Sequence, residues 1–179
     1  MFNFTGCHES GIARAEKYRS VTKILEPKQR QDAAQLTTLP PYYPDTPIVR
    51  EDWKRNYELI TAMDAWAGKL ISQLKKDGLY ENTIIFFWSD HGIGLPRAKR
   101  WLYDSGTHIP LIVRIPEQYR AAGGPAPGQG RPGTVTDQMV SSIDLGPTVL
   151  KLAGLKIPDH VLGKTFLGRD LGLVRMYVF

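Results

Sequence analysis

Thr83-Ile84-Ile85-Phe86-Phe87-Trp88-Ser89-Asp90-His91-Gly92 decides the fold class. From Thr83 to Trp88 every residue is β-branched or aromatic, with no polar alternation. A continuous apolar run of this kind suits a strand buried on both faces, the pattern of parallel sheets covered by helices. The run opens at once into a polar turn at Ser89-Asp90-His91-Gly92. In α/β sheets ligands gather beyond the carboxyl ends of strands, so Asp90 and His91 stand where chemistry is expected.

Outward from this strand, residues 52–77 read as a helix. Ile60, Met63, Ala67, Leu70, Ile71 and Leu74 recur at helical spacing, Asp52 can cap the start and Gly78 sits at a left-handed stop. Asp64 falls on or beside the apolar stripe and reads as a hydrogen-bonded structural carboxylate. Leu39 through Pro47 is too rich in proline for helix and reads as an ordered surface connection. Downstream, Leu111-Ile112-Val113-Arg114-Ile115 predicts a second strand, closed by Pro116. Leu145 to Ala153 predicts a short helix with Asp144 as cap, Pro147 in the first turn and Gly154 at the end. Met1 to Gly6 reads as the end of a strand, Tyr177-Val178-Phe179 as a strand that stops, and residues 121–133 as a flexible Gly/Pro-rich loop. Helix, strand, loop and strand in alternation predict an α/β sheet with parallel strands.

Composition narrows the function classes. The chain has 179 residues, 42% of them apolar, enough for a core. No apolar run approaches the roughly 20 residues of a membrane span, and no targeting signal is visible. The single cysteine, Cys7, excludes an internal disulfide and a cysteine-rich zinc site. A formal charge of +5 is compatible with a solvated basic surface or with attraction of anionic substrates. No nucleic-acid-binding motif accompanies it, and no nucleic-acid partner is expected.

Several side chains could carry chemistry. Asp90-His91 pairs a carboxylate with an imidazole, both metal-ligand types, though a strand-end turn with Asp90 capping backbone amides uses the same residues. Lys99 could reach back over the strand end to neutralise an anion. His8, beside Glu9 and Ser10, could donate a proton near pH 7. His108 leads into the second strand, where packing or capping is its ordinary use, and is the weakest substrate-contact candidate. His160 has no visible partner. Cys7 has no local support as a nucleophile and reads as a small packed residue.

Taken in order, these pieces resemble the sulfatases of the alkaline phosphatase superfamily, nearest to the branch of heparan N-sulfatase and its bacterial relatives. The resemblance rests on Tyr57 and Asp64, on Gly78-Leu79-Tyr80-Glu81-Asn82-Thr83, on Ser89 to Gly92, and on Lys99, Leu102-Tyr103, Gly106 and Pro110 to Arg114. Pro44 to Arg50 and Asp144 to Thr148 extend it over nearly the whole chain.

The resemblance implies an alkaline-phosphatase-like, mostly parallel sheet flanked by helices and incomplete at both ends. On that reading residues 1–179 form the C-terminal-side portion of one sulfatase catalytic domain. It implies a divalent metal, calcium first and zinc or manganese as alternatives, with Asp90 and His91 as ligands. His91 stands where many sulfatases have asparagine, and imidazole suits zinc or manganese better than calcium. Lys99 and, less securely, His8 correspond to residues that contact the sulfate and the leaving group. The family's nucleophile, a formylglycine made in a Cys/Ser-x-Pro-x-Arg motif, has no counterpart here: after Cys7, position 9 is Glu and position 11 is Gly. It is expected upstream, so the chain alone is expected to be inactive. A sulfated glycan or related ester is the implied substrate, and a periplasmic, secreted or lysosome-like location follows from the family. Alternatives are a phosphatase or phosphonate monoester hydrolase of the same superfamily, a noncatalytic fragment, or a basic polysaccharide-binding module.

Overall fold

The computed structural model describes residues 2–36, 38–121 and 132–168. Residues 122–131 of the expected loop and the expected strand at Tyr177-Val178-Phe179 lie outside the described residues. The chain divides into two compact units, Met1–Gly78 with His91–Ile109, and Leu79–Asp90 with Pro110–Phe179.

The first unit is built on one long helix. The short helices α1 (Glu9–Ala13) and α2 (Ala15–Thr22) precede α3, which runs from Pro47 to Lys76. Thirty residues make a rod about 45 Å long. It starts before the expected Asp52. Thr46 caps it by accepting from the Val49 amide, and Pro47 occupies the first turn, where a missing N–H costs nothing. Proline thus begins this helix; the expectation that Pro47 belongs to the irregular connection is corrected. Lys75 and Lys76 complement the carboxyl end of the dipole, and Gly78 follows with φ +70°.

The buried face of α3 carries Trp53, Leu59 and Ala62, and Trp53 and Leu59 pack with Ile12 and Leu95. Asp64, expected to be a structural carboxylate near this stripe, is exposed. Glu58 is fully buried, and its carboxylate accepts from Tyr18 Oη, from Arg30 Nη1 at 2.8 Å and from the Gln31 amide at 3.0 Å. Burial pushes this carboxyl up, but the hydrogen bonds outweigh it and the group ends below its ordinary range. A buried charge of this kind is tolerated only when fully paired, and here the pairing fastens α2 and the segment around Arg30 to α3. Residues 2–5, read as a strand end, have no regular secondary structure; Phe4 packs its ring against Trp66, with centroids 5.3 Å apart.

The second unit holds the strands β1 (Ile85–Trp88) and β2 (Leu111–Arg114) and the helices α5 (Glu117–Ala121) and α6 (Leu145–Leu152). The mixed helix-and-strand class is as expected, but the pairing is antiparallel, Ile85 opposite Arg114 and Trp88 opposite Leu111. A parallel return requires a crossover, usually a helix lying across the sheet. Between these strands stands one helix, the four-residue α4 (Asp104–Thr107). β1 is also half-buried rather than buried on both faces, with Trp88 36% exposed. Ile84, Phe86, Leu111 and Val113 form one apolar face against Ile115, Phe166 and Leu167.

Arg114 ties the strand pair to the preceding turn. It lies over the Tyr80 ring at 3.7 Å, donates to the Tyr80 carbonyl at 2.5 Å and pairs with Glu81 at 2.8 Å. Asp144 precedes α6 as expected, but its side chain makes no cap hydrogen bond to that helix. It accepts instead from the Ser141 amide at 2.9 Å and the Lys164 amide at 2.8 Å, joining the Ser142–Asp144 turn to the chain beyond α6.

Leu59→Ala removes a side chain with no exposure from the centre of the first core. The expected loss is about 2–5 kcal/mol, read from denaturant unfolding. A loss below about 1 kcal/mol would contradict this placement of α3.

Candidate functional site

In the first unit a loop from His91 to His108 is held against the N-terminal segment. Gly92 donates its amide to the Gly106 carbonyl at 2.9 Å, and Lys99 donates its amide to the Ile93 carbonyl at 3.0 Å. Leu95 and Ala98 are buried, and Ser105 Oγ donates to the Arg97 carbonyl at 2.5 Å. Gly94 lies so close to Glu9 that an added Cβ would sit 2.9 Å from the Glu9 Cβ and amide nitrogen. Arg97 and Arg100 have φ of 63° and 72°, left-handed values that cost a non-glycine residue about 1 kcal/mol or more each.

This loop brings Lys99 to His8 and Glu9. The Lys99 ammonium lies 3.1 Å from His8 Nε2 and donates to Glu9 Oε2 at 2.8 Å, contacts that bridge 91 and 90 residues of chain. Arg100 Nη2 donates to Glu9 Oε1 at 3.0 Å. Two of the sequence candidates, His8 and Lys99, are therefore together, and Glu9 is the carboxylate between them.

Both ring nitrogens of His8 have partners. His8 is the N-cap of α1, and its Nδ1 accepts from the Ser10 amide at 3.2 Å. With the proton on Nε2 the ring can donate to Glu9 Oε2 at 3.2 Å; with it on Nδ1 the ring donates to Ser10 Oγ at 3.1 Å and Nε2 accepts from Lys99. In the first form Lys99 and His8 Nε2 both direct protons at Glu9. Side-chain exposure separates the two cations: Lys99 is 17% exposed and Arg100 74%, so Lys99 is the held member of the cluster. The hydrogen bond from Lys99 is the main cause that takes the Glu9 carboxyl down to about 2. Partial desolvation opposes it; the backbone amide and the charges of His8 and Lys99 reinforce it.

Cys7 precedes this cluster but is no nucleophile. Its thiol donates to the Leu59 carbonyl at 3.2 Å, and burial pushes it up to about 11, so it stays protonated at neutral pH. His108 ends α4, its amide donating to the Asp104 carbonyl at 2.8 Å. Its side chain is exposed, and among the described residues no hydrogen bond or ion pair joins it to His8 or Lys99.

Asp90 and His91 follow β1 by two and three residues. His91 Nδ1 lies 2.6 Å from the Gly92 carbonyl, which is an acceptor only. Nδ1 therefore donates, and a backbone carbonyl orients the imidazole. The donor types fit a divalent cation. The set is partial, because among the described residues no group of three or more His, Cys, Asp or Glu could hold a metal ion. No helix among the described residues is long and apolar enough to cross a membrane.

The sulfatase family profile matches residues 4–155. The chain belongs to the sulfatase family. It is 34% identical over 203 residues to an ulvan-active sulfatase of Formosa agariphila, an alignment covering 99% of this chain and 32% of that protein. Human N-sulphoglucosamine sulphohydrolase is 33% identical over 128 residues, 71% of this chain and 24% of that enzyme. Human iduronate 2-sulfatase is 30% identical over 156 residues, 76% of this chain and 28% of that enzyme. The chain thus spans a third or less of the length of these relatives. Membership is with sulfatases, and the phosphatase alternative is not favoured.

The carboxylate clamp was not legible as such. Glu9 was visible beside His8, but its pairing with Lys99 and Arg100 is a contact across 90 and 91 residues that no local period encodes. The one available signal was charge: a lone acid beside a candidate histidine and two adjacent bases far along the chain.

Because the folded-state carboxyl of Glu9 is depressed, its ion pairs stabilise the fold above the unfolded value of about 4.3 and are lost as pH falls toward 2. Carbon-13 NMR of the Glu9 carboxyl is expected to titrate near 2, and to return toward 4.3 in Lys99→Met. An unshifted wild-type titration would contradict the clamp.

Proposed function

We propose that the protein containing this chain hydrolyses sulfate esters of a sulfated carbohydrate, with Lys99 and His8 acting on the sulfate side of the reaction. The observation that carries the reading is the 3.1 Å approach of Lys99 Nζ to His8 Nε2 across 91 residues. These are the two side chains that the family resemblance assigns to sulfate and leaving group.

Lys99 supplies a fixed positive charge. A sulfate ester gains negative charge on its leaving oxygen as the sulfur–oxygen bond breaks, and an ammonium held within hydrogen-bond reach stabilises charge spread over the sulfuryl oxygens. Glu9 keeps Lys99 in place before substrate arrives. With its proton on Nε2, the nitrogen facing the cluster, His8 is the candidate general acid for the leaving oxygen. An incoming sulfate would compete with Glu9 for both donors.

Asp90 and His91 are proposed to hold a divalent cation, calcium by family precedent, with zinc or manganese made plausible by the imidazole. When bound, such a cation would neutralise charge on a sulfate oxygen. The nucleophile is proposed to be a formylglycine in a segment of the protein outside this chain. The two units are proposed to be portions of one alkaline-phosphatase-like catalytic domain with a mostly parallel sheet. Export to a periplasmic, extracellular or lysosome-like compartment accompanies this reading. The names of the relatives, which include an ulvan-active and an iduronate enzyme, support a sulfated glycan as substrate class.

Sulfate release from a generic aryl sulfate tests this in the full-length protein, with calcium and with chelator. Metal-dependent release is expected, and Lys99→Ala should lower kcat about 10²- to 10³-fold, the usual effect of losing one charge-stabilising donor. Release unaffected by Lys99→Ala would remove the role given to Lys99, and no release from the wild type would remove the sulfatase reading.

A further inference from the structure

The loop that carries Lys99 presents a second cation in a different setting. Arg97 stands between two tyrosines, its guanidinium 4.6 Å from the Tyr42 ring centroid and 4.6 Å from that of Tyr103. Among the described residues no carboxylate is paired with it. Arg97, Tyr42 and Tyr103, with Leu102, Asp104 and Ser105, all exposed, line an open surface depression of about 530 Å³. That volume lies within the range of small-ligand sites and would take a sugar ring.

Three observations indicate what this depression would bind. With aromatic rings against it, Arg97 directs its remaining hydrogen-bonding capacity through the guanidinium edge, whose forked donors match a carboxylate or sulfate in bidentate geometry. Trp101 and Tyr103 stack at 6.1 Å with an interplanar angle of 20°, and they remain 54% and 46% exposed. A flat aromatic surface beside polar groups suits the C–H face of a pyranose. The loop is also anchored at this point, with Ser105 Oγ on the Arg97 carbonyl, Tyr43 Oη on the Pro96 carbonyl and Ala98 buried, while Arg97 itself has φ 63°. An exposed left-handed arginine whose flanking backbone is fastened on both sides is the kind of strained position that accompanies a binding role.

We infer that Tyr42, Arg97 and Tyr103 form a glycan subsite in which Arg97 grips a second anionic substituent of the substrate, a carboxylate or a further sulfate, while the exposed aromatics carry its ring. Asp104 in the same lining offers an acceptor for sugar hydroxyls. The inference rests on the proposed sulfatase reading for its orientation: Lys99 lies two residues beyond Arg97, within about 7 Å along an extended chain. The subsite would thus read the sugar at or next to the ester being cleaved, and would favour polyanionic glycans over singly charged esters.

Calorimetric titration of the full-length protein in chelator, where the metal-dependent release expected above is suppressed, tests it. The probes are a sulfated, uronate-containing tetrasaccharide and its carboxyl-reduced form. Arg97→Ala is expected to weaken binding of the first about ten- to a hundredfold, the effect of losing a charge-assisted bidentate contact. Arg97→Lys, which keeps the charge and loses the fork, should recover only part. Unfolding midpoints establish that the variants are folded; should Arg97→Ala fail to fold, Arg97→Lys and Tyr103→Ala carry the test, each weakening binding. Loss of the Arg97 effect on carboxyl reduction identifies a carboxylate as the anion, and its persistence identifies a second sulfate. Equal affinity of wild type and folded Arg97 variants, or no binding by the wild type, would overturn the subsite. Aryl sulfate release by the wild type reads the catalytic proposal separately. Arg97-dependent binding without release would leave the glycan site standing and remove the sulfatase reading.

Discussion

The first unit depends on a buried carboxylate. Glu58, with no exposure, is neutralised by Arg30, hydrogen-bonded by Tyr18 and capped by the Gln31 amide. Removing such a charge from water is tolerable only with all its oxygens satisfied, so α2 and the chain through Gln31 have one position on α3. Arg55 adds a second tie, donating to the Ile12 carbonyl at 2.9 Å at the end of α1. Cys7 adds a third through the Leu59 carbonyl. His8 and Glu9 lie between these ties, so their placement follows from polar contacts to a helix some fifty residues away rather than from their own short segment.

The same logic operates at the surface. Glu9 faces two cations and a histidine, and its charge holds Lys99 3.1 Å from His8 Nε2. A carboxylate in that position resembles the anion that a sulfatase must bind, in charge and in acceptor geometry. In the proposed function Glu9 is a resident stand-in: it organises the donors and yields to sulfate. The arrangement also accounts for Gly94, because a side chain there would push the loop off Glu9.

Much of the fold was legible where one physical rule dominated. The apolar period of residues 60–74 marked α3, β-branched and aromatic residues marked β1 and β2, and Gly78 and Gly154 marked left-handed stops that the structure shows at φ +70° and +71°. Failures came where tertiary context decided. Pro47 was read as a breaker but serves as the first residue of a capped helix, and Asp144 was read as a helix cap but satisfies amides at Ser141 and Lys164. The apolar strand suggested a covered parallel sheet, whereas β1 pairs with β2 antiparallel because the connection contains only one short helix. Of the site, His8 and Lys99 were named from resemblance, and the structure brings them together; Glu9 and the Tyr42–Arg97–Tyr103 stack needed three-dimensional proximity to be seen.

The central claim is that Lys99 and His8 are donors to one sulfate and that Glu9 occupies their hydrogen bonds until it arrives. A crystal structure of the full-length protein with a divalent cation and a non-hydrolysable sulfate-ester analogue tests it most directly. The account predicts sulfuryl oxygens within hydrogen-bond distance of Lys99 Nζ, the leaving-group oxygen beside His8 Nε2, and Glu9 displaced toward Arg100. An analogue bound elsewhere, with Lys99 still closed on Glu9, would contradict it.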